Sequence, residues 1–139
     1  MFEFFRAWLI VLGAGMAVGG VALATLANTP LLAPLIRLME LPFWPSGTDR
    51  TVRDFRTFVF GVCGGVLAAW GVTVAILVSQ ECDRSKAWVW WARPSSVALW
   101  FVLDTGRSVR HRVWANVAGN VALLVAVAIP LAGTFSEFH

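Results

Sequence analysis

The stretch from Ala7 to Asn28, AWLIVLGAGMAVGGVALATLAN, decides the fold class. It holds no charged residue, and the uncharged run continues to Ile36. A helix needs roughly 20 apolar residues to cross the hydrocarbon core of a bilayer, since each residue adds about 1.5 Å. The stretch reads as a membrane span. A cleaved leader competes with that reading, because Arg6 precedes the run and Ala22-Leu23-Ala24 resembles a cleavage site. The run exceeds the roughly 7–15-residue apolar core of such leaders, so the segment is expected to be retained.

Three further blocks repeat the pattern. The second is uncharged from Thr57 to Gln80, and the last from Val113 to Ser136, with Pro130 near its end. The third runs from about Trp88 to Thr105 and is the weakest, because Arg93 and Asp104 interrupt it. Across all 139 residues, 58% are apolar and 14% charged, with a mean hydropathy of +0.73. An average soluble domain has about 45–50% apolar and about 25% charged residues. A domain this small buries only about two-thirds of its unfolded surface, so such an excess of apolar side chains has no soluble interior to fill. Soluble enzymes, nucleic-acid binders, disordered chains and disulfide scaffolds are excluded. The expected fold is all-α: one transmembrane domain over residues 1–139, a four-helix bundle with spans at about 7–28, 57–80, 88–105 and 113–133.

The connections are unequal. Glu81–Ala87 and Gly106–Arg112 are short, which predicts antiparallel neighbours for the second and third spans and for the third and fourth. In the first loop Leu31, Leu32, Leu35, Ile36, Leu38, Met39 and Leu41 surround Arg37 and Glu40, the pattern of a short interfacial helix. Thr51 and Asp54, three apart before the second span, suit a helix N-terminal capping box. Trp8, Trp88, Trp90 and Trp91 fall at one water interface and Trp44 and Trp114 at the other, as indole rings prefer. Trp70 and Trp100 fall near mid-span.

The net charge is +3. Four cations, Arg6, Arg84, Lys86 and Arg93, lie on the side of the termini; seven, Arg37, Arg50, Arg53, Arg56, Arg107, Arg110 and Arg112, lie on the other. The positive-inside tendency then puts the first and third loops in the cytoplasm. Lipid head groups explain these cations more simply than nucleic acid does. Cys63 and Cys82 are too far apart on one helix, about 28 Å, to form a disulfide.

Two sets of residues stand out within the spans. Gly15 and Gly19 in the first, and Gly61, Gly65 and Ala69 in the second, are small residues four apart, with Gly13, Gly20, Gly64 and Ala68 nearby. Such spacing lets helix backbones approach closely in lipid, either within the chain or between chains. The second set is polar. Asp104 precedes the third loop and Asn116 follows it, so in an antiparallel hairpin both lie about 8–10 Å below one interface. Asn120 shares a face with Asn116. Arg107, one turn from Asp104, is the first candidate partner for the carboxylate. A structural cluster and a protonatable or cation-binding vestibule are both open readings of Asp104, Arg107, Asn116 and Asn120.

No catalytic, cofactor or metal spacing accompanies them, so no enzyme activity, cofactor or metal is expected. Neither His111 nor His139 lies inside a span, and no HExxH, GxSxG or Walker sequence occurs. Phe43-Trp44, the short Gly/Asp loop, Phe60-Gly61-Val62-Cys63-Gly64-Gly65 and Ala69-Trp70-Gly71 resemble a group of uncharacterised small four-span bacterial membrane proteins. Trp100-Phe101-Val102-Leu103-Asp104-Thr105, Trp114-Ala115-Asn116 and Asn120 are similar to the same group. The resemblance implies a four-span fold and a bacterial inner-membrane location, with no assigned activity. The function expected on this reading is a non-catalytic accessory or interaction subunit of a membrane assembly, its partners being lipids and other subunits or itself. A small homo-oligomeric transporter or channel is the alternative.

Overall fold

The computed structural model describes residues 2–79 and 87–134, side chains excepted at 87–90; Cys82 and the second loop lie outside them. The described residues form α1 (Phe2–Leu26), α2 (Ala33–Glu40), α3 (Arg50–Ser79), α4 (Ala87–Arg110) and α5 (Trp114–Thr134), with no strand among them. Three of these, α1, α3 and α5, are long and apolar enough to cross a membrane. The chain is thus all-α and has the makings of a multi-pass membrane protein. The fourth expected span does not reach that standard. Its helix, α4, has 24 residues, enough for a crossing at about 1.5 Å per residue, but Arg93, Pro94 and Asp104 break its apolar sequence.

The surface fits a lipid solvent. Val11, Val18, Phe58, Val66, Leu99 and Val102 each keep between 64% and 71% of their surface outside the fold. In water each fully exposed side chain of this size would forgo roughly 1.5–3 kcal/mol of burial.

α1 and α3 pack antiparallel along most of their length. Gly13, Ala17, Gly20 and Ala24 of α1 face Gly64, Ala68, Gly71 and Ala75 of α3, in a spacing that keeps small residues on one seam for about three turns. The approach is backbone to backbone. A Cβ on Gly64 would lie 2.5 Å from the Gly20 carbonyl oxygen, and one on Gly71 would lie 2.5 Å from the Ala17 nitrogen. Polar contacts close the hairpin at each end. The Arg6 guanidinium donates to the carbonyls of Val78 and Ser79, at 3.3 and 2.7 Å, and covers the open C-terminus of α3. At the other end the Asn28 amide donates to the Thr57 hydroxyl.

α5 packs against α4 on one side and α1 on another. Phe2, Val97, Val127 and Leu131 form the core of this half, with Leu12, Trp70, Trp100, Leu123 and Leu124 around it. The expected close pairing of the second and third spans is replaced by a sparser one. α3 meets α4 through Trp70 and Trp100, whose ring centres are 5.8 Å apart, while its main partner is α1. The seam explains the difference: two small-residue faces admit an approach that a face carrying Trp70 does not.

One local detail departs from expectation and another follows it. The first turn of α3 is capped by Asp49, which accepts from the Val52 N–H at 2.8 Å, and not by a Thr51–Asp54 box. The apolar stretch of the first loop does form a short helix, α2, with Pro34 in its first turn. Ile36 and Glu40 turn inward, whereas Leu31, Leu35, Leu38 and Leu41 face out.

The seam yields a sharp contrast. Gly20→Ala should lower the stability of the detergent-solubilised protein by about 1–3 kcal/mol, the cost of overpacking a closed contact. Gly15→Ala, where a Cβ meets nothing within 4 Å, should be neutral or stabilise by up to about 1 kcal/mol through helix propensity. Thermal melts of the two variants check this, and equal effects would contradict the seam.

Candidate functional site

The turn between α4 and α5 sets the geometry of the polar cluster. The Val113 N–H donates to the Ser108 carbonyl at 2.9 Å and the Arg112 N–H to that of Val109 at 3.1 Å, a Schellman closure of α4. Arg112 takes the left-handed position, at φ 60°, where glycine is commonest. So tight a reversal lays the first turns of α5 directly over the last turns of α4.

Asn116 and Asn120, one turn apart, thereby face Asp104. The Asn120 amide donates to Asp104 Oδ2 at 2.9 Å, and the Asn116 amide to both carboxylate oxygens at 3.2–3.3 Å. The same amides also reach hydroxyls of α4, Asn116 to Ser108 Oγ at 2.8 Å and Asn120 to Thr105 Oγ1 at 3.1 Å. Ser108 in turn donates to the Asp104 carbonyl at 2.8 Å. Ser108 and Asn120 are buried, and Asp104, Thr105 and Asn116 half-buried. Each amide offers two N–H groups and a carboxylate accepts several, so donors and acceptors match without an intervening group.

Sequence spacing brings together Asp104, Asn116 and Asn120 as expected, but not Arg107. Arg107, although one turn from Asp104, is exposed and makes no ion pair among the described residues. Thr105 and Ser108 were not singled out by the sequence. Ser108, four residues after Asp104 on the same helix face, could have been found by that spacing; Thr105, the next residue, carries no such signal.

A second network lies on the same side of the chain. Glu40, at the end of α2, accepts from Arg56 of α3 at 2.8 Å, with both side chains largely buried. Arg56 also donates to Asn28 Oδ1 at 3.0 Å. These contacts tie α2 to the α1–α3 hairpin. No spacing rule connects Glu40 to Arg56, 16 residues on and in another helix.

The glycines divide by face. Gly15, Gly19, Gly61 and Gly65 stand apart from the α1–α3 seam, with open space where a Cβ would sit, and Ala69 is exposed beside them. Gly13, Gly20, Gly64 and Gly71 make the close contact instead. Among the described residues no group of His, Cys, Asp and Glu could hold a metal. A cavity of about 40 Å³ lies away from Asp104, in the apolar core between Leu9, Trp70, Val97, Trp100 and Val127, with Arg93 at its edge. Comparison with protein-family models, with curated proteins and with solved structures finds no match. The arrangement around Asp104 can therefore do one thing well: clasp α4 to α5.

Two substitutions test the clasp. Asp104→Asn keeps an acceptor for the facing amides and should cost about 1 kcal/mol. Asp104→Leu removes every side-chain acceptor at the position and should cost more, roughly 1–3 kcal/mol. Thermal unfolding in detergent ranks the two against the unaltered protein. Three equal melting temperatures would mean the carboxylate is merely solvated.

Proposed function

We propose that this chain is a non-catalytic accessory subunit of a larger assembly in a bacterial cytoplasmic membrane, with α1, α3, α4 and α5 all crossing the bilayer. The observation that carries the reading is the division of the glycines. One set closes the internal seam, and the other, Gly15 and Gly19 on α1 with Gly61, Gly65 and Ala69 on α3, stays open on the outside. Small residues there let a neighbouring helix approach closely in lipid, where no hydrophobic force drives association. The bacterial setting follows the resemblance drawn above.

The directly hydrogen-bonded Asp104 cluster favours this role over a transporter. A carboxylate that takes up protons or cations needs water or a vacant coordination position, whereas Asp104 takes three contacts from two amides. For α4, the antiparallel pairing with α5 and the Val97–Val127 core support a crossing despite Arg93, Pro94 and Asp104. The side with seven arginines is then cytoplasmic.

Single cysteines in a background lacking Cys63 and Cys82 test the crossing. Ser79→Cys and His111→Cys should react with a membrane-impermeant maleimide from opposite sides of intact vesicles. Reaction from the same side would remove α4 from the bilayer.

Extraction in mild detergent followed by native mass measurement tests the assembly. The complex should exceed the 15.2 kDa of one chain, and Gly15→Leu with Gly65→Leu should release the monomer without lowering its melting temperature. A mass at a whole multiple of 15.2 kDa assigns the faces to self-association. A lone monomer from the unaltered protein overturns the reading.

A further inference from the structure

The face of α4 turned away from Asp104 has a different character. Val102, Leu103, Gly106, Arg107, Arg110 and His111 line a shallow cleft of about 530 Å³. Its residues fall in order along the helix axis. Val102 and Leu103, 67% and 62% exposed, form the deep end. Gly106 has open space where a Cβ would sit, which leaves a groove in the middle. Arg107 and Arg110, in the last turn of α4, form the outer end with His111. Leu103 and Arg110 are seven residues, about 10 Å, apart.

We propose that this cleft binds one anionic phospholipid of the surrounding leaflet. The inference rests on the reading that α4 crosses the bilayer. Two guanidinium groups match a phosphate by paired N–H donors, and a phosphodiester in the head-group layer meets them at the depth of the last helical turn. Among the described residues neither arginine is engaged in an ion pair, in contrast to Arg56, which Glu40 holds. The apolar half decides between a lipid and a free phosphate. Val102 and Leu103 extend the cleft toward the membrane interior, where an acyl chain lies and a hydrated ion does not enter. The His111 ring packs on Phe43, 5.5 Å between centres, and so fixes the rim of the cleft against the loop that follows α2. Basic pockets at the cytoplasmic end of membrane helices are suited to anionic head groups, because the leaflet there is negatively charged.

The purified full chain in mild detergent is titrated with dioleoyl phosphatidylglycerol or dioleoyl phosphatidylcholine, and the bound lipid counted by native mass spectrometry. One phosphatidylglycerol should bind about thirtyfold more tightly than phosphatidylcholine, the ratio two arginines supply at an anionic surface. Arg107→Gln with Arg110→Gln should abolish the preference, the two Lys replacements should keep most of it, and Arg50→Gln should leave it intact. Equal binding of the two lipids overturns the proposal. So does an equal loss in Arg50→Gln, which means diffuse attraction, or displacement by inorganic phosphate at matched concentration, which means a plain anion site. Leu99→Cys in phosphatidylglycerol vesicles, with Cys63 and Cys82 replaced, reports separately on the crossing. A thiol open to a water-soluble maleimide overturns the crossing whatever the lipid result. A shielded thiol with no lipid preference overturns the lipid site alone.

Discussion

Contact between the backbones of α1 and α3 is the constraint on which the rest depends. In lipid, apolar side chains gain nothing by leaving one hydrocarbon surface for another, so helices associate through close packing and polar contacts. The Gly13–Gly20 and Gly64–Gly71 seam supplies the packing, and it fixes the register of the hairpin. Residues facing each other across it, Gly13 with Ala75, Gly20 with Ala68, and Asn28 with Thr57, sum to nearly constant positions, as an antiparallel pair must. That register delivers Arg6 to the last carbonyls of α3 and Arg56 to the side-chain amide oxygen of Asn28. The network then reaches Glu40 and draws the end of α2 onto the pair.

The second half is assembled by different means. α4 and α5 lack matched glycine faces, and a tight turn with the Asp104 clasp holds them together at one end. Toward the other end the contacts are bulky: Val97, Val127 and Leu131, and the Phe5 ring over Gly133. Trp70 and Trp100 fill the wider space between the halves. The small apolar cavity beside them shows that the fit there is looser than along the seam. Close packing in one half and polar clasping in the other are the two ways helices associate without a hydrophobic force, and this chain uses each where its residues allow.

Much of this was legible in the sequence, for physical reasons that also mark where legibility ends. Uncharged runs announce helices because the bilayer sets one length. Asp104, Asn116 and Asn120 could be placed together because a short turn makes depth a matter of counting residues from the loop. The four-apart pairs Gly15–Gly19 and Gly61–Gly65, singled out in the sequence, are not the ones that form the seam. α1 is so rich in Gly and Ala that more than one of its faces qualifies, and the choice between Gly15–Gly19 and Gly13–Gly20 depends on what α3 presents. Arg107 was misassigned because one helical turn brings two side chains within reach without obliging them to meet, and two amides from α5 already occupy the carboxylate. The Glu40–Arg56 pair was invisible because it joins separate elements, and only the hairpin register brings its members together.

The two ends of the molecule therefore differ in kind. At the end holding the first residue of α1, Arg6 is engaged by the last carbonyls of α3 and by Glu3. At the other end Arg56 is neutralised by Glu40, yet Arg107, Arg110 and Arg112 remain exposed around the α4–α5 turn. The turn itself imposes this separation. Holding Asp104 against Asn116 and Asn120 leaves Arg107 and Arg110 on the flank away from Thr105 and Ser108, since residues three and six positions after Asp104 lie about 60° and 120° around the helix in the opposite sense. The polar clasp and the exposed cations are consequences of one helix rotation.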